Sequence, residues 1–355
     1  MTDGARAHAR RAVVSVLGDC SNACVFCGFD GAVNASEESM RAIHAAGHRA
    51  ITLGGGEPTL APEALATAVR TARAIDFSSI VLQTNGHDLA RLAASLRRWG
   101  LTDVHVSVLG PDAASHDYHT TRPGSFDRLW DGVAAARQAG LRVVATTVIT
   151  RSSYRVLSGL PILLHARGVA AWQLAVPLAR GHAQDDFDRV YPRLAMALPF
   201  ALHAVEAARR LGMPTFIRGA PLCLLGPLAA RSIDDEARAF HARCEGCAAR
   251  ASCPGIDPVY LARFDGDELR PRTDRPTGAD GEALRALFAG PGALVPRRVA
   301  PIAEPVPNGR LSLPMYGRTQ RGEREVASRD VKTGDALREI LPALFDAGKS
   351  PEKDT

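Results

Sequence analysis

Cys20, Cys24 and Cys27 stand within one short stretch, spaced C-x3-C-x2-C. Thiolates so close in sequence can converge on one polynuclear centre, and their softness suits iron-sulfur, copper(I) or zinc. Three protein ligands on a four-iron cluster leave one iron unfilled, which is what a metal centre needs to bind a substrate directly. A second group, Cys244, Cys247 and Cys253, has C-x2-C-x5-C spacing, with Cys223 upstream as a natural fourth ligand. Four cysteines can close a tetrahedral zinc site or a cubane.

These loops need elements to hold them. β-branched and apolar runs predict strands at 13–17, 50–53, 80–83, 104–108, 143–149 and 171–176, alternating with helical stretches. Leu89, Leu92, Ala93, Leu96 and Trp99 fit one apolar helix face, and a long helix is expected over 186–211. Six alternating strands predict an α/β fold with a parallel sheet and helices outside, either doubly wound or a partial barrel. In both, chemistry belongs at the carboxyl ends of strands. The first cysteine loop follows the first strand, 54–59 the second and 84–86 the third, so all three motifs fall on that face. Pro and Gly from 214 to 227 mark a domain boundary near Met213. Beyond Arg270 the chain is rich in Pro, Gly and charge until an expected helix over 335–345.

The chain has 355 residues, ample for one large core and smaller additions. Its formal charge of +5 is almost all arginine, with Lys332, Lys349 and Lys353 the only lysines. The arginines are scattered and aromatics scarce, which argues against a nucleic-acid groove. The most apolar stretch, 194–205, is interrupted by Pro199 and His203, so no membrane span is expected. The basic start and short apolar run before Cys20 imitate a signal peptide, but the run is too short and Asp19 is a poor cleavage residue. Seven cysteines would leave one unpaired in a secreted protein, so their tight spacing points to metal ligation in the reducing cytoplasm.

With Phe26 before its third cysteine, the first loop resembles the C-x3-C-x-aromatic-C signature of the radical S-adenosylmethionine (SAM) superfamily. Leu53-Gly54-Gly55-Gly56-Glu57-Pro58-Thr59 looks like the glycine-glycine-glutamate-proline motif of the same family. The resemblance spans about 13–211 and implies a partial (β/α)6 TIM-type barrel over 1–213. It implies a [4Fe-4S] cluster on Cys20, Cys24 and Cys27 that also chelates SAM. Phe26, Gly55, Gly56, Glu57 and Pro58 are the implied cofactor contacts, with Thr84, Asn85 and Ser107 toward its methionine and ribose ends. His119 to Phe126 also looks like a family segment, although a Pro-Gly turn with Ser125 as helix cap explains it without catalysis.

The second cysteine group, with Pro254, Gly255, Tyr260 and Gly266, resembles part of the SPASM and twitch auxiliary domains. No cysteine follows Cys253, so one auxiliary [4Fe-4S] cluster on Cys223, Cys244, Cys247 and Cys253 is expected over 214–272, zinc being the alternative. Residues 273–355 then form a partly irregular extension. The resemblance implies reductive cleavage of SAM to a 5'-deoxyadenosyl radical that abstracts a substrate hydrogen. It also implies an external one-electron donor such as flavodoxin or ferredoxin. The substrate expected first is a ribosomal peptide, with a small molecule in cofactor or metabolite biosynthesis as the alternative. Only nineteen residues precede Cys20, too few for a leader-binding domain, so a peptide would need another recognition element. A non-catalytic iron-sulfur sensor or electron carrier is the other class, and it has no need of the glycine-rich motif. Gln173, Arg180, His182, His105 and Tyr118 are candidates to face the cavity, and no acid or base is assigned.

Overall fold

A computed structural model describes residues 12–29, 34–233 and 238–276. The expected helix over 335–345 lies outside them.

Eight strands form one parallel sheet in sequence order: β1 (Ala12–Leu17), β2 (Ala50–Gly55), β3 (Ser79–Thr84), β4 (Asp103–Ser107), β5 (Arg142–Val148), β6 (Ala171–Ala175), β7 (Thr215–Arg218) and β8 (Ser232–Ile233). Among the described residues β1 and β8 are its two edges, which makes this a partial barrel. The expected strands are β1 to β6. The two added strands are too short for periodicity to register. The apolar run before Cys20 is therefore a strand rather than a targeting segment.

Each crossover from β1 to β7 carries at least one helix that buries apolar residues against the sheet, and short 3-10 turns link β7 to β8. In α1 (Glu37–Ala45) the Ser36 side chain accepts from the Ser39 amide at 3.2 Å, and Met40 is buried. After α2 (Pro62–Ala74), α3 (Leu89–Trp99) buries the expected Leu89, Leu92, Ala93 and Leu96. Each of its leucines is worth roughly 1.5–3 kcal/mol of burial. Two helices follow β4, α4 (Ala113–Thr120) and α5 (Ser125–Gln138), and α6 (Leu160–Ala166) follows β5. Inside the barrel wall, Trp172 is fully buried and donates Nε1–H to Thr147 Oγ1 at 2.9 Å.

The long helix expected over 186–211 is divided. Short turns α7 (His182–Asp185) and α8 (Phe187–Val190) precede α9 (Leu194–Arg210). Tyr191 is extended at φ −81°, ψ 121° because the Pro192 ring excludes the helical region for the residue before it. No helix among the described residues is long and apolar enough to cross a membrane.

Past the sheet, α10 (Pro258–Phe264) folds back onto α9. The Leu194 amide donates to Tyr260 Oη at 2.8 Å and the Ala195 amide to Glu268 Oε2 at 2.9 Å. Tyr260 is fully buried, and its hydroxyl donates to Glu268 Oε1.

Candidate active site and cysteine centres

The first cysteine loop is pressed against the end of β2. The Gly56 amide donates to Leu17 O and the Glu57 amide to Asp19 O, each at 2.7 Å. Gly55 has φ +115°, and a Cβ on Gly56 would stand 2.0 Å from Asp19 O. Only glycine permits this approach of two backbones.

Glu57 is fully buried, and its carboxylate laces β2 to β3. Its Oε1 accepts from the Thr59 amide at 3.1 Å, Thr59 Oγ1 at 2.5 Å and Thr84 Oγ1 at 2.7 Å, while Oε2 accepts from the Asn85 amide at 2.6 Å. Burial raises the carboxyl above its ordinary range, against the lowering effect of these bonds. Asn85 in turn donates from Nδ2 to Ser21 Oγ at 2.9 Å, with Cys20 Sγ at 3.9 Å.

The opposite side of the loop rests on α4. The Ala23 amide donates to Thr120 O at 3.2 Å and the Val25 amide to His119 O at 3.3 Å. Thr121 Oγ1 donates to Ala23 O, and Arg122 Nη1 to Ser21 O. The 119–126 segment thus positions the loop through main-chain oxygens, a role that residue types do not signal. The cap of α5 is Asp117, whose carboxylate accepts from the Gly124 amide at 2.6 Å and the Phe126 amide at 2.9 Å, instead of Ser125. Ser125 donates its hydroxyl to that carboxylate at 2.8 Å.

A cavity of about 340 Å³ opens at the carboxyl ends of the strands. Cys20, Cys24, Cys27, Phe26, Gly55, Gly56, Thr84, Asn85 and Ser107 all line it, whereas Glu57 and Pro58 stand behind the wall. His105 and Gln173 also line it. Arg180, His182 and Tyr118 do not; Tyr118 is exposed and accepts from Arg189. The cavity-lining Arg218 and Arg238 come from β7 and the segment after β8, which sequence patterning leaves unassigned. His116, one helical turn before Thr120, lines the cavity and accepts the Leu109 amide on Nδ1 at 3.1 Å. Burial depresses its pKa to about 4, so the ring is neutral.

Burial pushes the Cys24 thiol up to about 12, with Cys20 and Cys27 adding repulsion, and it raises Cys20 as well. Desolvation of Cys24 and the mutual repulsion of these sulfurs disfavour thiolates in the loop by itself, and a bound metal centre would supply the compensating charge. The donor set therefore fits a thiolate-bound cluster.

Cys223, Cys244, Cys247 and Cys253 line one further pocket. The Leu222 and Gly255 amides point at Cys253 Sγ at 3.5 and 3.4 Å, and the Arg272 amide at Cys247 Sγ at 3.3 Å. Amide donors around sulfur favour thiolates and tune bound clusters. All seven cysteines are free of disulfides.

Residues 14–152 match the Radical SAM superfamily. A protein named GTP 3',8-cyclase from Xanthomonas campestris pv. campestris is 32% identical over 132 residues, 37% of this chain and 39% of that protein. One of the same name from Rhodopseudomonas palustris is 26% identical over 284 residues, 72% of this chain and 78% of that one. The chain thus spans about two fifths of the Xanthomonas relative. Among solved structures, Streptococcus suis SuiB bound to precursor peptide SuiA gives a TM-score of 0.48 at 13% identity, covering 59% of this chain and 49% of SuiB. A structure described as native anSMEcpe with bound AdoMet gives 0.40 at 17% identity, covering 48% and 53%.

Proposed function

Because residues 14–152 belong to the radical SAM superfamily, which implies a [4Fe-4S] cluster and SAM, we propose that this protein cleaves SAM reductively to oxidise or rearrange a substrate. When bound, the cluster supplies the electron that splits a carbon-sulfur bond of SAM into methionine and a 5'-deoxyadenosyl radical, which takes a hydrogen atom from substrate. Cys20, Cys24 and Cys27 hold that cluster. The observation that carries this reading is the seam between Gly56 and Asp19, which brings three thiols and a glycine strand end to one cavity.

The chain's own residues bind and orient. Gly55 and Gly56 offer backbone to the methionyl group, Phe26 walls the nucleoside, and Thr84, Asn85 and Ser107 supply polar contacts from the ends of β3 and β4. Glu57 acts one step back by fixing Thr84 and Asn85. The barrel walls must keep water from the radical and hold the target hydrogen near the 5' carbon.

Cys223, Cys244, Cys247 and Cys253 are proposed to hold a second [4Fe-4S] cluster, a role supported by their shared pocket and the amides directed at sulfur. Four thiolates leave no iron open, which suits electron transfer or support rather than substrate ligation. For substrate, a small molecule is favoured over a ribosomal peptide. The most extensive match described above is to a protein named GTP 3',8-cyclase. GTP is the first compound to test.

Anaerobic reconstitution with iron and sulfide, then dithionite and SAM, should yield 5'-deoxyadenosine from the native chain and none from Cys24→Ala. Absence of 5'-deoxyadenosine from protein with a loaded first cluster would leave the sensor or electron-carrier class. Iron of about eight per chain marks two four-iron clusters, and about four marks one.

A further inference from the structure

Two guanidiniums meet on one imidazole beside the first cysteine loop. Arg122 Nη2 and Arg128 Nη1 both donate to His87 Nε2, at 3.1 and 2.8 Å. Burial and then the two arginines push His87 below its ordinary range, so it neutralises neither. Elsewhere several arginines meet a carboxylate, Arg41 on Glu37, Arg209 and Arg210 on Glu206, Arg263 on Asp188, and Arg243 on Asp267. Arg122 and Arg128 form no ion pair among the described residues. Asp88 lies within electrostatic reach of His87, and Asp127 adjoins Arg128, yet neither carboxylate bonds a guanidinium there.

The pair is tied to the cysteine loop. Arg122 donates to Ser21 O, His87 donates its amide to Asn85 Oδ1 at 3.0 Å, and Asn85 reaches Ser21 and Cys20. Cys20 is the exposed member of its trio, and Arg128 is exposed in the first turn of α5. Holding two like charges together is unfavourable unless something anionic meets them.

We propose that Arg122 and Arg128 form the docking surface for an acidic one-electron carrier that delivers its electron at the Cys20 edge of the first cluster. This rests on the function proposed above. The carrier, a flavin hydroquinone or reduced iron-sulfur protein, is oxidised by one electron and the cluster is reduced by one; SAM cleavage consumes that electron. Complementary charge acts mainly on encounter rate and fades with salt.

The test uses reconstituted full chain, flavodoxin as the acidic carrier, and photoreduced 5-deazariboflavin as a small uncharged reductant. Arg128→Glu should slow cluster reduction by flavodoxin hydroquinone roughly 10-fold or more at low ionic strength, a difference that shrinks at about 0.5 M salt. It should weaken the binding of oxidised flavodoxin in parallel, and Arg128→Gln should fall between. Reduction by deazaflavin should be unchanged. An unaltered flavodoxin rate and affinity in Arg128→Glu, or an equal loss with both reductants, overturns the proposal. Native protein that makes no 5'-deoxyadenosine with deazaflavin refutes the underlying function instead, while flavodoxin affinity still reads the docking surface by itself.

Discussion

The Asn85 amide donates to Glu57 Oε2 at 2.6 Å, joining residues 28 positions apart at the ends of neighbouring strands. The same carboxyl group holds both Thr59 and Thr84, so one buried side chain sets the floor on which the cysteine loop lies.

Glu57→Gln keeps the shape but puts an amide nitrogen against donors. Leaving one buried donor unmatched costs about 1–3 kcal/mol. Thermal unfolding of cluster-free protein should shift down by several degrees, and 5'-deoxyadenosine formation should fall further than stability alone explains. An unshifted midpoint with native turnover would mean the carboxylate does not organise the site.

Gly56→Ala places a Cβ against Asp19 O and Gly18 O, both backbone atoms that cannot yield cheaply. The loop must move, so SAM cleavage should drop by at least about 100-fold, the scale of a 1 Å misplacement. Because the auxiliary cysteines are untouched, about half the iron should remain on reconstitution.

Cys223→Ala tests the fourth ligand of the second centre. It should lose the auxiliary cluster or render it labile, while the low-temperature paramagnetic signal of the reduced first cluster persists. Full iron content and an unchanged second signal would assign Cys223 a packing role.

His116 gives the fold an acid sensitivity. Its native pKa of about 4 lies below the ordinary 6.5, so the unfolded chain takes the proton first. Stability is complete above pH 6.5 and declines as pH falls from 6.5 toward 4, by up to about 1.4 kcal/mol per unit. His116→Asn should flatten that part of the profile in urea unfolding of cluster-free protein. A slope identical to native would exclude the ring as its source.

The parallel strands and the motifs at their ends were legible because both rest on local patterns: β-branched runs, and cysteine or glycine at fixed spacing. What lay beyond reach was long-range. Asp117 caps α5 from the preceding helix, and Ser125 has the residue type for the task without the geometry. That the Glu57 side chain would bind Thr59, Thr84 and Asn85 is likewise not written in its motif. Pro192 was a local signal that the helix reading passed over, since apolar spacing continues across it. Arg218 reaches the cavity from β7, a strand of four residues that carries little periodicity.

The bonds from Leu194 and Ala195 to Tyr260 and Glu268 make the longest described helix dependent on residues more than sixty positions downstream. Arg193, its N-cap residue, provides no side-chain acceptor for these amides, so α10 and the loop after it act as a borrowed cap. A barrel severed upstream of Asp257 would begin that helix on bare donors. Losing such a cap costs about 0.5–2 kcal/mol, so a barrel exchanged with a relative's should be steadier when that relative's own capping segment travels with it.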